Sequence, residues 1–246
     1  MIVLMKSDWK DLFEKAGVRK GSRVLFQWGG CQVETAGGLV TVVEALMETV
    51  SEAGTIIMPA FSRDSLDPFC RGQIPCPFEM AGQFRHSLHG YEARISGTDE
   101  MSLTLLRMGG ARTEHPSRSY VVWGTYDAAW LKQPLDYPQS HCLEIFGQSM
   151  DVNLLVGMRP QESLLVGALC HAAGRDVSYV QKGVFYRPRR NLARTWLMSR
   201  TEPEVLSEAL ELVRLQLVDC QLEDVYALQL YTSVDKTVEV WKRAAQ

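Results

Sequence analysis

Two short apolar segments, separated by a glycine-rich loop and a segment with helical periodicity, constrain the fold of this chain more than any other feature. Residues 23–28 (RVLFQW) form an apolar run bounded by glycines, and residues 54–59 (GTIIMP) form a second one. Between them, residues 39–53 repeat apolar side chains at helical spacing. A strand, a helix and a second strand in this order predict a βαβ unit with parallel strands. We therefore expect an α/β fold with a mixed, partly parallel central sheet flanked by helices.

The rest of the chain divides into short periodic segments and one long aperiodic stretch. Residues 62–95 are rich in proline, glycine, cysteine and aromatic residues and predict a long surface excursion. We interpret residues 1–246 as a single domain and residues 202–246 as a C-terminal helical segment, with residues 221–232 either strand or helix. The periodic segments predict helices at 7–16, 99–108, 204–217 and 235–245, and strands at 120–124 and 154–157.

Charge and hydropathy argue against two classes of partner. The 26 basic and 29 acidic side chains are mixed along the sequence and give a net charge of -3. No basic surface for nucleic acid or anionic lipid is expected from such a distribution. The first twenty residues do not resemble a secretory signal, and no window approaches the roughly 18 apolar residues of a membrane span. We expect a cytoplasmic protein with neither a nucleic acid nor a membrane partner.

The cysteines predict free thiols rather than a disulfide scaffold. Six of them are scattered at irregular spacing in 246 residues. A zinc site is the alternative for Cys70, Cys76, His86 and His89, but their spacing fits no common ligand pattern. We predict no metal.

Four ordered stretches resemble the aminoglycoside 3-N-acetyltransferase family over roughly residues 10–170. The stretches are AGVRKG at 16–21 with AGGLVTVVEAL at 36–46, EAGTIIMPAF at 52–61, RTEHPSRS at 112–119 followed by VVWG at 121–124, and NLLVG at 153–157. The resemblance implies an antibiotic N-acetyltransferase-like fold and an acyltransferase activity. Coenzyme A or acetyl-CoA would be the co-substrate, with a pantetheine thioester on a carrier protein as the other acyl donor. The acceptor would be an amine of a small molecule, and because residues 62–95 carry both signs of charge, a less cationic one than an aminoglycoside.

The glycine pair that opens the helix has a physical role of its own. Gly37 and Gly38 let the backbone approach a ligand and present unpaired N–H groups at a positive helix end, with Thr35 placed to cap the helix. The alternative is a tight turn between strand and helix. In the context of the resemblance, the three residues are candidates for the cofactor site.

The histidine-proline corner supplies the other candidates. Pro116 disfavours helix at His115 and fixes its backbone, so the imidazole either accepts a proton from the attacking amine or shapes the loop. The resemblance implies that Ser119 contacts the pantetheine arm, unless it caps a turn. It also implies that Arg112 meets a cofactor phosphate, unless it is a surface arginine.

Two motifs of the family are missing. The family has a His-Ser pair at the end of the first strand, where an ungapped alignment places Phe26 and Gln27. After the fourth stretch it has Leu-His, a small residue and Glu, with the histidine as the base. Here the region 162–173 (ESLLVGALCHAA) carries an apolar or small residue at the expected position.

Three explanations remain open. In the first, the base has moved to His171 or to His115. In the second, the acyl group passes through the thiol of Cys31, which stands beside the glycine turn where the family often has serine. In the third, the fold persists without acetyl transfer, as a binding or regulatory module or with another reaction. The sequence also leaves open whether the amphipathic tail helices pack on the core or against a second copy in a homodimer.

Overall fold

The computed structural model describes most of the chain in eleven ranges. They are residues 3–31, 33–61, 100–113, 115, 118–132, 136, 143, 145–147, 151–187, 190–218 and 224–244. The predicted excursion at 62–95 and the zinc alternative of Cys70, Cys76, His86 and His89 lie outside the described residues. None of the helices in the described ranges is long and apolar enough to cross a membrane.

Helices and strands alternate along most of the described chain. The helices are α1 (Lys6–Lys15), α2 (Gly38–Val50), α3 (Glu100–Arg107), α4 (Leu164–Ala172), α5 (Pro203–Leu210) and α6 (Val234–Ala244). The strands are β1 (Val3–Leu4), β2 (Arg23–Trp28), β3 (Glu34–Thr35), β4 (Thr55–Phe61), β5 (Ala111–Arg112), β6 (Arg118–Gly124), β7 (Asp151–Val156), β8 (Val177–Arg187), β9 (Arg190–Arg200), β10 (Val213–Leu217) and β11 (Val225–Leu230).

Seven of these strands form one mixed sheet in the order β10-β11-β7-β2-β4-β6-β5. The three central strands β7, β2 and β4 are parallel, and the outer strands pair antiparallel to their neighbours. The predicted α/β fold with a partly parallel sheet is confirmed, and β2, α2 and β4 are the predicted βαβ unit.

Alternating side chains on the central strands pack against two different layers of helices. Val24 and Phe26 of β2 pack with the buried residues of α1 and α2. Leu25 of β2 and Ile57 of β4 pack instead with Leu165 of α4. Because successive side chains of a strand point to opposite faces, α2 and α4 lie on opposite faces of the sheet. We call these the α2 face and the α4 face.

An ion pair joins the amino ends of two central strands. Arg23 and Asp151 are Cα partners in the β2–β7 ladder, and the guanidinium donates to both carboxylate oxygens over 2.6 and 2.9 Å. The Asp151 side chain is only 4% exposed, and it also accepts from the N–H of Gly147. A paired and hydrogen-bonded carboxylate of this kind fixes the register of the two strands.

The C-terminal segment differs from the prediction. Residues 202–246 are not simply helical, because α5 ends at Leu210 and residues 213–217 form the edge strand β10 rather than the end of a longer helix. Val213, Leu215 and Leu217 alternate with polar residues, a period of two that suits pairing with β11. The alternative of strand or helix at 221–232 resolves to the strand β11. The long hairpin of β8 and β9 was not predicted.

The loops after β2 and β7 touch through their backbones. The N–H of Gly29 donates to the carbonyl of Val156 over 2.9 Å, and a Cβ on Gly157 would overlap the carbonyl of Gly30. Gly157 also has a left-handed backbone with φ of +64°. Only glycine satisfies both conditions at this position.

We expect Gly157→Ala to lower the free energy of unfolding by about 3 kcal/mol or more, or to prevent folding, because it adds a backbone clash to left-handed strain. Gly174→Ala is the matched control. Its φ is +67°, but an added Cβ there meets no atom within 4 Å, so it should lose only about 1–2 kcal/mol. Urea denaturation of both variants measures the difference, and equal losses would contradict the close backbone contact.

Candidate active site

The carboxyl ends of the parallel strands bring the two predicted corners to one edge of the sheet. β2 and β4 run in parallel, so the loops that follow them leave from the same edge. Strand β6 begins at this edge because Arg118 pairs with Phe61, the last residue of β4. The glycine turn before α2 and the loop that carries His115 therefore both lie at the carboxyl edge, where α/β proteins commonly bind ligands.

The glycine turn has an open, left-handed geometry. Gly37 is the N-cap of α2 with φ of +83°, and Gly38 follows with φ of +67°. No side chain caps this helix start. Both glycines are exposed, and a Cβ on Gly38 would meet no atom within 4 Å. The first N–H groups of α2 are thus presented to an accessible space.

Thr35 and Cys31 are both engaged within the loop that leads to this turn. The hydroxyl of Thr35 accepts from the indole N–H of Trp9 over 3.1 Å, so Thr35 does not cap α2, and that expectation is wrong. The Cys31 sulfur lies 3.3 Å from both the N–H and the carbonyl of Val33. The thiol is half-buried, and the proposal that it carries an acyl group remains a prediction.

Arg112 and Ser119 form a buried cluster with the end of β4. The guanidinium of Arg112 donates to the hydroxyl of Ser119 over 2.7 Å and also to the carbonyl of Ala60. The Ser119 hydroxyl donates to the same carbonyl over 2.8 Å, and Ser119 is fully buried. This cluster ties β5 and β6 to β4. The predicted contacts of Arg112 and Ser119 with a cofactor remain predictions. Such contacts would require these hydrogen bonds to rearrange.

His115 is buried and holds its own loop. Its Nδ1 accepts from the backbone N–H of Arg118 over 2.8 Å, and its ring meets Trp196 of β9 edge to face, with 6.4 Å between the centroids. An Nδ1 that accepts an N–H bond leaves the ring proton on Nε2 in the neutral form. The geometry therefore favours the loop-shaping alternative over that of a proton acceptor.

His171 forms a dyad with an acid, but on the other side of the sheet. Its Nδ1 lies 2.7 Å from a carboxylate oxygen of Asp176, whose side chain is 5% exposed. Such a carboxylate orients an imidazole and fixes its tautomer. However, His171 belongs to α4, on the face opposite α2, and lies about 10 Å along the helix from its first residue. The structure does not bring His171 together with the glycine turn.

The cysteine before His171 is unsuited to nucleophilic chemistry. Burial raises the pKa of the Cys170 thiol to about 11, because the thiolate would lose its solvation. Cys170 thus behaves as a small apolar residue of the core beneath α4.

Two buried amides occupy the α4 face at the carboxyl edge, and the sequence did not single them out as a pair. The Gln27 side chain accepts from the N–H of Leu164 over 2.9 Å and donates weakly to the carbonyl of Glu162 over 3.4 Å. The Asn153 side chain donates to the hydroxyl of Ser163, the N-cap of α4. Both amides thus bind the start of α4. A signal was available, since Gln27 and Asn153 are uncharged polar residues among the apolar residues that follow Arg23 in β2 and Asp151 in β7.

Within the described residues, no group of three or more His, Cys, Asp or Glu side chains is arranged to hold a metal ion.

The α/β fold and this edge of the sheet are similar to those of N-acetyltransferases that act on antibiotics. A family model for aminoglycoside 3-N-acetyltransferases matches residues 31–142. A curated relative, the SPbeta prophage-derived aminoglycoside N(3')-acetyltransferase-like protein YokD of Bacillus subtilis (strain 168), is 31% identical over 128 residues. That match covers 49% of this chain and 47% of the relative, so it spans about half of the relative's length.

Solved structures extend the likeness in fold over nearly the whole chain. The crystal structure of YokD matches with a TM-score of 0.71 at 22% identity, covering 98% of this chain and 94% of that one. AAC-IIIb in a binary complex with CoASH matches with a TM-score of 0.68 at 17% identity, covering 99% and 97%. At these identities the structures show the fold alone. Together with the family model, they confirm the resemblance of this chain to the aminoglycoside 3-N-acetyltransferase family.

We expect His115→Phe to lower the free energy of unfolding by about 1–3 kcal/mol, because the buried N–H of Arg118 loses its acceptor. His115→Asn should recover part of this loss, since an amide oxygen on Cγ can replace Nδ1. Urea denaturation measures both variants. Unchanged stability of His115→Phe would argue against the loop-shaping role.

Proposed function

We propose that the chain is an N-acyltransferase that takes an acyl group from coenzyme A, or from a pantetheine thioester on a carrier protein, and gives it to an amine of a small molecule. The observation that carries this proposal is the exposed turn of Gly37 and Gly38 at the start of α2. It offers backbone N–H groups, without a side-chain cap, at the carboxyl edge of the parallel strands.

The geometry of the turn suits an oxygen that gains negative charge. A left-handed residue followed by the right-handed helix turns successive N–H groups towards one side, which creates a concave anion site. The positive end of the helix dipole adds to the attraction. When an amine attacks a thioester, the carbonyl oxygen becomes negative, so these N–H groups would bind the transition state better than the substrate.

The relatives supply the donor. AAC-IIIb was crystallised with CoASH, which supports coenzyme A as the donor for a chain of the same fold. AAC-VIa was solved with bound sisomicin, which supports an amine-bearing small molecule as the acceptor class. For this chain both remain part of the proposal.

Of the two histidines that the structure describes, neither is placed as a base at the glycine turn. His115 uses Nδ1 within its own loop, and His171 lies on the opposite face from α2. We therefore propose that the acceptor is a weakly basic amine, which is already neutral near pH 7. Its nitrogen lone pair attacks the carbonyl carbon, the carbon–sulfur bond breaks, and the amine proton passes through solvent to the departing thiolate.

This mechanism is tested by the pH dependence of thiol release from acetyl-CoA with an aromatic amine and with an alkylamine. The rate should be nearly independent of pH above the low pKa of the aromatic amine, and should rise about tenfold per pH unit with the alkylamine. An inflection near pH 6–7 with both acceptors would instead indicate a histidine base. His115→Asn and His171→Asn would then identify it.

The covalent route has a separate test in the same assay. If Cys31 carries no acyl group, Cys31→Ser should keep the rate within about twofold of the unmodified chain. A loss of about a hundredfold or more would support an acyl-thiol intermediate on Cys31.

Gly38→Ala should lower the rate of thiol release from acetyl-CoA by about tenfold or more, because a Cβ disfavours the left-handed backbone that directs the N–H groups towards the thioester oxygen. Gly109→Ala is the matched control. Its φ is +98° and its Cβ would also meet open space, but it lies after α3, away from the turn. The rate of thiol release from acetyl-CoA is measured for both variants, and equal rates would contradict a role for the turn.

A second candidate function is a protein that binds the thioester without transferring the acyl group. It is favoured by the apolar start of α4, where Leu164 and Leu165 pack with β2 and β4 rather than presenting a polar group. Binding of acetyl-CoA by calorimetry without thiol release, over a panel of amines, would support this candidate against transfer.

A further inference from the structure

Strand β10 is an edge of the seven-stranded sheet, and no other described strand pairs with its outer side. It pairs with β11 on one side and is the outermost strand of the sheet order. At the opposite edge, β5 is only two residues long and carries Arg112, whereas β10 has five residues and a single charge, that of Arg214. Natural sheets usually protect an edge with short strands, charges, proline or bulges. Among the described residues, β10 has little of this protection.

The hydrogen-bond register shows which backbone groups point outwards. The N–H of Val218 donates to the carbonyl of Val225, which makes these two residues a hydrogen-bonded pair. Because such pairs alternate along an antiparallel ladder, Gln216 and Arg214 also direct their backbone groups towards β11. The N–H and carbonyl groups of Val213, Leu215 and Leu217 therefore face away from β11, at the free edge.

The side chains at this edge are apolar and accessible. Leu215 is 48% exposed and Leu217 is 62% exposed, and they share a face of the strand with the buried Val213. Arg214 lies on the other face, where its guanidinium stacks on the ring of Tyr231 at 4.7 Å from the centroid. The edge thus combines backbone N–H and carbonyl groups that face away from β11 with two exposed leucines.

We propose that β10 pairs antiparallel with β10 of a second copy of this chain, across a two-fold axis that passes through Leu215. In this register Leu215 lies opposite Leu215 of the partner copy, and Val213 lies opposite Leu217. All three residues with outward backbone groups then form hydrogen-bonded pairs. The two sheets join into one continuous sheet, and the exposed leucines pack against their counterparts.

The hydrogen-bond register and the charges of the strand suit pairing with a second copy. With the axis at Leu215, Arg214 lies opposite Gln216 of the partner copy, so no like charges meet directly. The strand is therefore self-complementary, as a two-fold interface requires. A pairing of five residues is smaller than a standard interface, so we expect a dissociation constant on the order of 10 μM.

Sedimentation velocity from about 1 to 200 μM tests the proposal. The unmodified chain should shift from monomer to dimer, and Leu215→Lys should remain a monomer because two ammonium groups would meet at the axis. Val180→Lys is the control, because Val180 is also an exposed strand residue (63%) but lies in the separate β8–β9 hairpin. It should dimerise like the unmodified chain. A monomer at 200 μM, or a dimer of Leu215→Lys with unchanged affinity, would overturn the proposal.

A charge swap separates loss of pairing from loss of folding. Leu215→Glu should also be monomeric alone, but an equimolar mixture with Leu215→Lys should associate, because opposite charges then meet at the axis. Recovery in the mixture would show that both variants are folded and that position 215 lies at the axis. Failure of the mixture to associate, with both variants folded by circular dichroism, would contradict the two-fold register.

Cysteine trapping gives an independent readout. Hydrogen-bonded pairs have Cα atoms about 5.5 Å apart, which is within disulfide range. Under mild oxidation, Leu215→Cys should form a cross-linked dimer at least tenfold faster than Val180→Cys or the unmodified chain. Equal rates for the two variants would contradict the pairing. Because these experiments measure association alone, their outcome is independent of acyl transfer.

Discussion

The hydrogen bonds from the sheet to the start of α4 are the constraint on which the candidate site depends. The amides of Gln27 and Asn153 reach out of two neighbouring parallel strands and bind the first turn of α4 and its N-cap Ser163. All three side chains are at most 3% exposed. A buried amide is stable only with its partners in place, so these bonds set where α4 begins. They also occupy the α4 face of the edge with groups that neither accept nor release protons.

These hydrogen bonds explain why the two faces of the sheet carry different functional groups. The α2 face keeps the glycine turn, whose function needs only backbone N–H groups and open space. On the α4 face, the first turn of the helix carries leucines and no ionisable group. The remaining dyad, His171 with Asp176, lies near the other end of the same helix. The glycine turn and the His171–Asp176 dyad therefore lie on opposite faces of the sheet.

The parts of the fold that could be predicted are those in which local pattern and tertiary role agree. Strand β2, helix α2 and strand β4 each have one period and one buried face, so their positions followed from the sequence. The sequence predicts a helix at the position of strand β10, because Val213 and the residues before it also fit a helical period. Only the pairing with β11 decides between helix and strand. The β8–β9 hairpin could not be predicted, because Trp196 and Met198 are buried while Val177, Tyr179 and Val180 are exposed, which leaves no regular alternation of buried and exposed residues.

The candidate site was partly predictable. The glycine turn and His115 share an edge because strand ends meet there, whereas the role of Gln27 depends on a contact 137 residues away.

Magnitudes decide whether an edge with no base placed beside it among the described residues can still support acyl transfer. A positioned general base typically contributes about 10²–10⁴ to the rate, and oxyanion binding by backbone donors contributes about 10²–10³ for each donor. Alignment of bound reactants contributes more than either. A chain that has the glycine turn but no base would therefore retain much of the acceleration for an amine that needs no deprotonation, and would lose most of it for a charged amine. For such a chain, the pKa of the acceptor, more than its shape, would determine which substrates are acylated.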